Sequence, residues 1–254
     1  MRRYCRAVDE RRRERHRGAG PGEDRQRRVG WAVVAGGVLV ALAIALVARP
    51  WGDGRAGRDD AVRVPRGGDD AATLVLDARG GRVLLTGDAP AGTLLDARGA
   101  GDDATATHAA AAGEHDVRVT GATATIRLSP DVRWTLRVTV GADDADLDLA
   151  ALDVQAVEVA GGAAVLAVAL PPAGGASRAE VSAGTDDLRF RLARGDAARV
   201  TVESGVGSVA LDGHRTGGLG AGADLTTAGF DAEADHWELV VAGGAGGVTV
   251  EHLP

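Results

Sequence analysis

Polar and apolar residues alternate with a period of two through the second half of the chain, around a recurring glycine. The anchors are Gly141, Gly162, Gly184, Gly205 and Gly244, at spacings of 21, 22, 21 and 39 residues. Apolar residues stand five and three residues before each anchor, and four and six residues after it. Strict alternation is typical of a strand with one buried face. The repeat therefore predicts strands before and after every anchor.

Before each anchor the inward-facing residues stand an odd number of residues away from it, and after the anchor they stand an even number away. The chain must therefore bend at the anchor, and glycine tolerates the positive φ that a bend often needs. Residues that alternate with the apolar ones are mostly polar or charged, such as Asp146, Asp148, Arg189 and Arg191. These side chains are predicted to face solvent.

Two earlier stretches fit the repeat loosely, with Gly81 and Ala122 as their anchors. Residues 88–115 show little pattern, and the run Ala109–Ala112 predicts a short helix or a loop. The 39-residue spacing indicates one repeat plus an insertion at 213–235, which is glycine-rich and polar.

A parallel β-solenoid and an antiparallel meander both fit such a repeat. The solenoid is favoured, because like residue types recur at like offsets, as they do when coils stack. We expect an all-β domain over residues 71–254, with about seven coils of about 21 residues and a length of about 35 Å. Trp134 and Trp237 stand seven residues before their anchors, and we expect them to close the first and last coils.

A different pattern precedes this domain. Residues 29–48 contain no charged side chain, and a helix of that length spans about 30 Å, the thickness of a bilayer core. Trp31 and Trp51 bracket the segment, as interfacial tryptophans do. A transmembrane helix is the favoured interpretation and a cleaved signal peptide is the alternative. Residues 49–70, rich in glycine and charge, are predicted to be a juxtamembrane linker.

Charge supports a single orientation. The chain contains no lysine, so all 29 basic residues are arginine. Residues 1–28 carry a net charge of +6 and the rest of the chain −13, as counted from the sequence. An arginine-rich flank predicts a cytoplasmic N-terminus and an extracytoplasmic C-terminal domain. The tail is interpreted as a lipid-facing segment rather than a nucleic-acid binder.

Composition and motifs argue against several classes of chemistry. A single cysteine excludes an intrachain disulfide, and the lack of lysine excludes a Walker A loop. His108 and His115 are interpreted as surface histidines rather than a metal pair. The acidic residues are interpreted as a solvated face with turn chemistry, and comprise Asp143, Asp144, Asp146, Asp148, Asp186 and Asp187. No catalytic, cofactor-binding or metal-binding residue is predicted.

The best candidate for a binding surface is the insertion at 213–235, since loops on a rigid scaffold often carry function. It contains one aromatic residue, Phe230, which is predicted to plug an end of the solenoid.

Two segments carry a resemblance to a known family: SPDVRWTL at Ser129–Leu136 and WELVVAGGAGGVTV at Trp237–Val250. They resemble the toast-rack domain of LiaF-like cell-wall-antibiotic response proteins and related adhesin-type bacterial β-solenoids, over residues 71–254. The resemblance implies a non-catalytic extracytoplasmic domain that modulates envelope-stress signalling or serves as a surface scaffold. The chain departs from LiaF in having one membrane helix rather than several.

These observations predict a single-pass membrane protein with a structural or regulatory role at the bacterial envelope. Its expected partners are the lipid bilayer and an envelope protein or cell-wall component. A surface adhesin is the alternative within the non-enzymes. A carbohydrate-active β-helix enzyme is the alternative from another class, and it would need two or three carboxylates that converge in one groove.

Overall fold

The structure, a computed structural model, describes residues 61–253, so the predicted tail at 1–28 and helix at 29–48 lie outside the described residues. Within residues 61–253 every regular element is a β-strand, and no helix is long and apolar enough to cross a membrane. All of these strands belong to one compact unit, Asp53–Pro254. They are β1 (Ala61–Pro65), β2 (Ala71–Thr86), β3 (Thr93–Ala100), β4 (Thr105–Ala111), β5 (Glu114–Leu128), β6 (Arg133–Asp148), β7 (Asp153–Ala169), β8 (Ala176–Val181), β9 (Gly184–Leu192), β10 (Ala197–Val202), β11 (Val206–Leu211), β12 (His214–Leu219), β13 (Ala223–Thr226), β14 (His236–Val241) and β15 (Ala245–His252).

The long strands stack as parallel layers. Their order along the stack is β5, β2, β6, β7, β8 with β9, β14 with β15, and β10 with β11. Every pair of neighbouring layers is parallel, as in a β-solenoid and unlike an antiparallel meander, and the register shifts only once, between β6 and β7 at Trp134 and Thr135. The backbone N–H and C=O groups of the paired residues therefore bond to the layer above and the layer below.

The order of the layers differs from the order of the chain at both ends. β5 lies outside β2, and β14 with β15 lies between β8 with β9 and β10 with β11. At each end the chain leaves one layer, forms short antiparallel strands at the edge, and returns as the other layer. These strands are β3 and β4 on β5, and β12 and β13 on β11 and β10.

The alanine run at 109–112 belongs to one of these edge elements. Three of its residues lie in β4, which pairs with β5, and Ala112 follows in a turn at φ 49°. The expected helix or loop is therefore wrong. A neighbouring strand supplies hydrogen bonds that the local sequence does not encode.

The predicted anchor glycines of β6, β7 and β9 lie opposite one another in adjacent layers. Gly141 pairs with Gly162, and Gly162 pairs with Gly184. The two earlier anchors are wrong by two residues, because Arg79, not Gly81, pairs with Gly141, and Thr120 rather than Ala122 pairs with Arg79. A shift of two residues leaves an alternating pattern unchanged, so the pattern does not detect it.

The anchor glycines do not have the expected positive φ. Their neighbour Gly161 does, at φ 98°, and a Cβ on Gly161 would lie 2.0 Å from the carbonyl oxygen of Val140 in the adjacent layer. A Cβ on Gly184, by contrast, would meet nothing within 4 Å. Glycine is thus required where two backbones approach closely, one residue before the predicted position.

The two tryptophans are buried, but they do not close the ends. Trp134 lies in the third layer and Trp237 in the sixth, and both are 0% exposed. Each ring is accommodated by smaller residues at the same position of the flanking layers, Ala72 and Val154 for Trp134, and Ala198 and Ser177 for Trp237. Their indole N–H groups donate to the carbonyl oxygens of Ser129 at 2.8 Å and Pro171 at 3.0 Å.

The core consists of columns of inward side chains that run along the stack. One of them, named here the Leu136 column, holds a residue from every layer. In stack order its members are His115, Leu74, Leu136, Val157, Ala179, Leu239 and Val200. All seven are buried, and six of them are apolar, so His115 is the exception.

A buried carboxylate fastens β1 to the stack. The side chain of Asp96 on β3 is 3% exposed, and it accepts hydrogen bonds from Arg63 of β1 at 2.7 and 3.1 Å. Arg98 donates to the same carboxylate at 2.8 and 3.1 Å. The Arg98 hydrogen bonds, helped by Arg63, lower the pKa of Asp96 although burial acts in the opposite direction.

Asp96→Asn is expected to lower the free energy of unfolding of residues 53–254 at neutral pH by about 2 kcal/mol, because two charge-assisted contacts weaken. The lowered pKa means that this stability is present above the unfolded-state value of about 3.9 and is lost as pH falls through the folded-state value. Urea unfolding at pH 7 and at pH 3 should therefore show a smaller difference between the two proteins in acid. An equal difference at both pH values would contradict the assignment.

Candidate functional site

The insertion at 213–235 is not a simple loop. It supplies β12, which pairs antiparallel with β11, and β13, which pairs antiparallel with β10. Together they form the last layer at the end of the stack opposite β1. Among the described residues each has a partner strand on one side only, so both present a free edge.

An apolar pocket, named here the terminal pocket, opens between these two strands. Its volume is about 300 Å³. Val209, Leu211 and Leu225 line it, and all three belong to the core or pack against it. The surrounding residues are Asp212, His214, Thr216, Thr226 and Ala228. The terminal pocket is therefore an end of the core that β12 and β13 leave partly open.

Phe230 does not line the terminal pocket. It is half-buried, and its ring packs edge-on against the imidazole of His236 in β14, with centroids 5.0 Å apart and planes at 78°. The predicted plug is therefore absent from this pocket. The sequence marks Phe230 as unusual for its segment, but only the stack places His236 beside it.

The chain between β13 and β14 is held in place by hydrogen bonds from its own backbone and its neighbours. The Ala228 amide donates to the Asp212 carboxylate at 2.7 Å, and the Gly175 amide donates to Asp235 at 3.0 Å. The Ala198 amide donates to the hydroxyl of the buried Thr227 at 2.9 Å. The walls of the terminal pocket are thus tied to the layers beneath.

Most of the acidic residues singled out from the sequence have structural partners. Asp144 lies 3.7 Å from Arg82, and Asp187 lies 2.5 Å from Arg189. The ion pair between Asp146 and Arg191, at 2.5 Å, joins β6 to β9 across the intervening β7. The Asp144 and Asp146 pairs therefore connect layers of the stack, whereas the Asp187 pair lies within β9.

A larger surface depression of about 510 Å³ follows the bends of four layers and is lined mostly by glycine and alanine. Asp186 is its one carboxylate, as Asp212 is in the terminal pocket. Neither pocket gathers the converging acids that a glycosidase requires. Within residues 61–253, no cluster of three or more His, Cys, Asp or Glu residues could hold a metal ion.

His108 and His115 are not the surface pair expected from the sequence. His115 is 7% exposed, and its Nδ1 lies 3.1 Å from Nε2 of His108. The ring planes differ by 15° and the centroids are 5.4 Å apart, so the rings lie edge to edge around an N–H···N bond rather than face to face. Burial, and then the proximity of His115, lower the pKa of His108, while Asp116 acts to raise it.

The pairing of β4 with β5 brings the two rings together. His108 pairs with Val117 and Ala110 with His115, so the histidines are diagonal neighbours on one face of a hairpin. The seven-residue spacing around Ala112 and Gly113 was the available signal. It could not be used without first recognising β4 as a strand.

A family model described as the N-terminal domain of toast_rack, DUF2154, matches residues 56–185. The crystal structure of a candidate cell adhesion protein from Clostridium sporogenes is similar in fold, with a TM-score of 0.60 and 13% sequence identity. The match covers 76% of this chain and 98% of that one. No curated protein matches the sequence.

Proposed function

The chain belongs to the family of the toast-rack N-terminal domain, and from this premise we propose that it is a non-catalytic β-solenoid of the bacterial envelope. Residues 29–48 anchor it in the membrane, with residues 1–28 in the cytoplasm and the stack outside. Its role is structural or regulatory, through a protein or cell-wall partner. The family and the adhesin-like fold both point to a domain without catalysis.

The proposal rests on the last layer of the stack, formed by β12 and β13 and called here the terminal layer. β12 and β13 present free edges, and an apolar pocket of about 300 Å³ opens between them. A free edge can accept hydrogen bonds from, and donate them to, an added strand, and an adjacent pocket can accept a side chain of that strand. We place the partner-binding surface at this layer.

Orientation is tested by thiol labelling of intact cells with a reagent that does not cross membranes. The native Cys5 is expected to stay unlabelled. A cysteine introduced by Ala228→Cys, at an exposed position two residues after β13, is expected to be labelled in a Cys5→Ser background. Labelling of Cys5 from outside would show that the orientation is wrong, and loss of residues 1–48 from the mature protein would identify a signal peptide.

Partner binding is tested by site-specific photo-crosslinking in membranes. A crosslinker at Thr216, beside the terminal pocket, is expected to yield a discrete product whose amount changes under cell-wall stress. The matched control is the same group at Val165, which is 36% exposed on a layer in the middle of the stack. Equal products at both positions would contradict a specific surface at the end.

A surface adhesin is the second candidate, favoured by the fold shared with the candidate adhesion protein of Clostridium sporogenes. It predicts that the same crosslinks form between cells rather than within one envelope. Mixing cells that carry the crosslinker with differently marked cells that do not carry it distinguishes the two functions.

A further inference from the structure

His115 occupies a position where the fold otherwise uses apolar side chains. The six other members of the Leu136 column are leucine, valine or alanine. A buried imidazole costs stability relative to a leucine there, since its polar nitrogens must be desolvated and paired. A polar residue that breaks the local rule in this way is a candidate for a function beyond packing.

The hydrogen-bond partner of His115 is His108, on a strand that is paired on one side only. β4 is an edge strand whose pairing in the described residues is with β5 alone, and His108 on it is half-buried. The Nε2 of His108 and the Nδ1 of His115 face each other at 3.1 Å. Imidazole nitrogens so placed are the usual ligands of zinc, copper and nickel ions in proteins.

We propose that His108 and His115 form a binding site for a divalent transition-metal ion, with water completing the coordination on the half-buried side of His108. Two nitrogens each bound at 2.0–2.1 Å to a tetrahedral zinc ion lie about 3.3–3.4 Å apart. The observed separation is 3.1 Å, so the pair needs a small opening and a turn of the rings toward the ion.

The proton balance of binding is simple. One of the two facing nitrogens carries the hydrogen of the N–H···N bond when both rings are neutral. On binding, that proton moves to the other nitrogen of the same ring, and both facing lone pairs become available to the ion. Two neutral imidazoles therefore bind the metal without net release of a proton.

The surroundings of the two histidines favour a divalent transition-metal ion. Burial lowers the pKa of His108, which favours the neutral imidazole that binds a metal, and the Asp116 charge acts in the direction that stabilises positive charge. A site of two imidazoles is expected to bind Cu²⁺ more tightly than Zn²⁺, and to ignore Mg²⁺ and Ca²⁺, which prefer oxygen ligands.

The test uses the full chain in detergent micelles, titrated with Zn²⁺, Cu²⁺ and Mg²⁺ by calorimetry and thermal unfolding. Zn²⁺ and Cu²⁺ are expected to raise the unfolding midpoint, as any ligand of the folded state does, and Mg²⁺ is not. His115→Leu places in layer one the residue that three other layers carry at this position. It is expected to fold with an unchanged or higher midpoint without metal, and to bind Zn²⁺ at least about tenfold more weakly.

His108→Gln tests the second ligand and is also expected to weaken binding, with the core column intact. His252→Ala, which removes an exposed histidine at the end of β15, is the matched control and is expected to bind Zn²⁺ like the parent. The proposal is wrong if His115→Leu and His108→Gln bind Zn²⁺ as tightly as the parent, or if Zn²⁺ and Cu²⁺ leave the parent's midpoint where Mg²⁺ leaves it.

Discussion

Replacing Gly161 by alanine is expected to lower the free energy of unfolding of residues 53–254 by about 3 kcal/mol or more. Two causes act together. Gly161 has a φ of 98°, and the new Cβ would lie 2.0 Å from the Val140 carbonyl oxygen. That oxygen belongs to the backbone of a neighbouring layer, so it can move away only if the two layers separate.

Gly184→Ala is the matched control, because it adds the same methyl group at the bend of the next layer, where nothing lies within 4 Å. Its φ is not positive, and its expected effect is within about 0.5 kcal/mol of zero. Urea unfolding followed by circular dichroism measures both. Equal effects of the two substitutions would show that close approach of the layers does not limit the stability of the stack.

Trp237→Ala is expected to cost about 3–5 kcal/mol, the range for removal of a buried large aromatic side chain. The indole is 0% exposed, and the residues at its position in the flanking layers are Ala198 and Ser177. Neither of these side chains is long enough to fill the cavity. The substitution should therefore loosen the sixth layer and its contacts on both sides.

Trp237→Phe separates the ring volume from the hydrogen bond. It keeps most of the aromatic surface but loses the 3.0 Å bond to the Pro171 carbonyl oxygen, so a cost of about 1–2 kcal/mol is expected. The same urea titration compares the three proteins. A phenylalanine variant as unstable as the alanine variant would mean that the hydrogen bond, not the packing, dominates at this position.

The strands of the stack could be predicted because their signal is local. From Arg133 onwards the residues five and three before each anchor glycine, and four and six after it, are buried, except Leu211, which is half-buried. Gly141, Gly162 and Gly184 pair as the spacing predicted. The signal weakened where Arg79 and Thr120 stand at the anchor position, since neither is a glycine. Alternation alone cannot distinguish two registers that differ by two residues, because the same side chains face inward in both.

The order of the layers could not be predicted in the same way. Every layer presents the same kind of apolar column to its neighbours, so β14 fits between β8 and β10 as well as beyond them. The repeat therefore identifies equivalent positions without identifying neighbours. The antiparallel strands at the ends decide the order, and their sequences, such as that of β4, carry little pattern of their own.

The candidate sites, too, were predicted only in part from the sequence. The sequence alone indicated where a binding surface was most expected, at 213–235, and which residue types the core contains. Pairing between strands decided that this segment is a terminal layer with a pocket, and that His108 and His115 share a hydrogen bond. The alternation of side chains is a property of each strand by itself, whereas register, layer order and the meeting of distant residues depend on backbone hydrogen bonds between strands that sequence spacing does not encode.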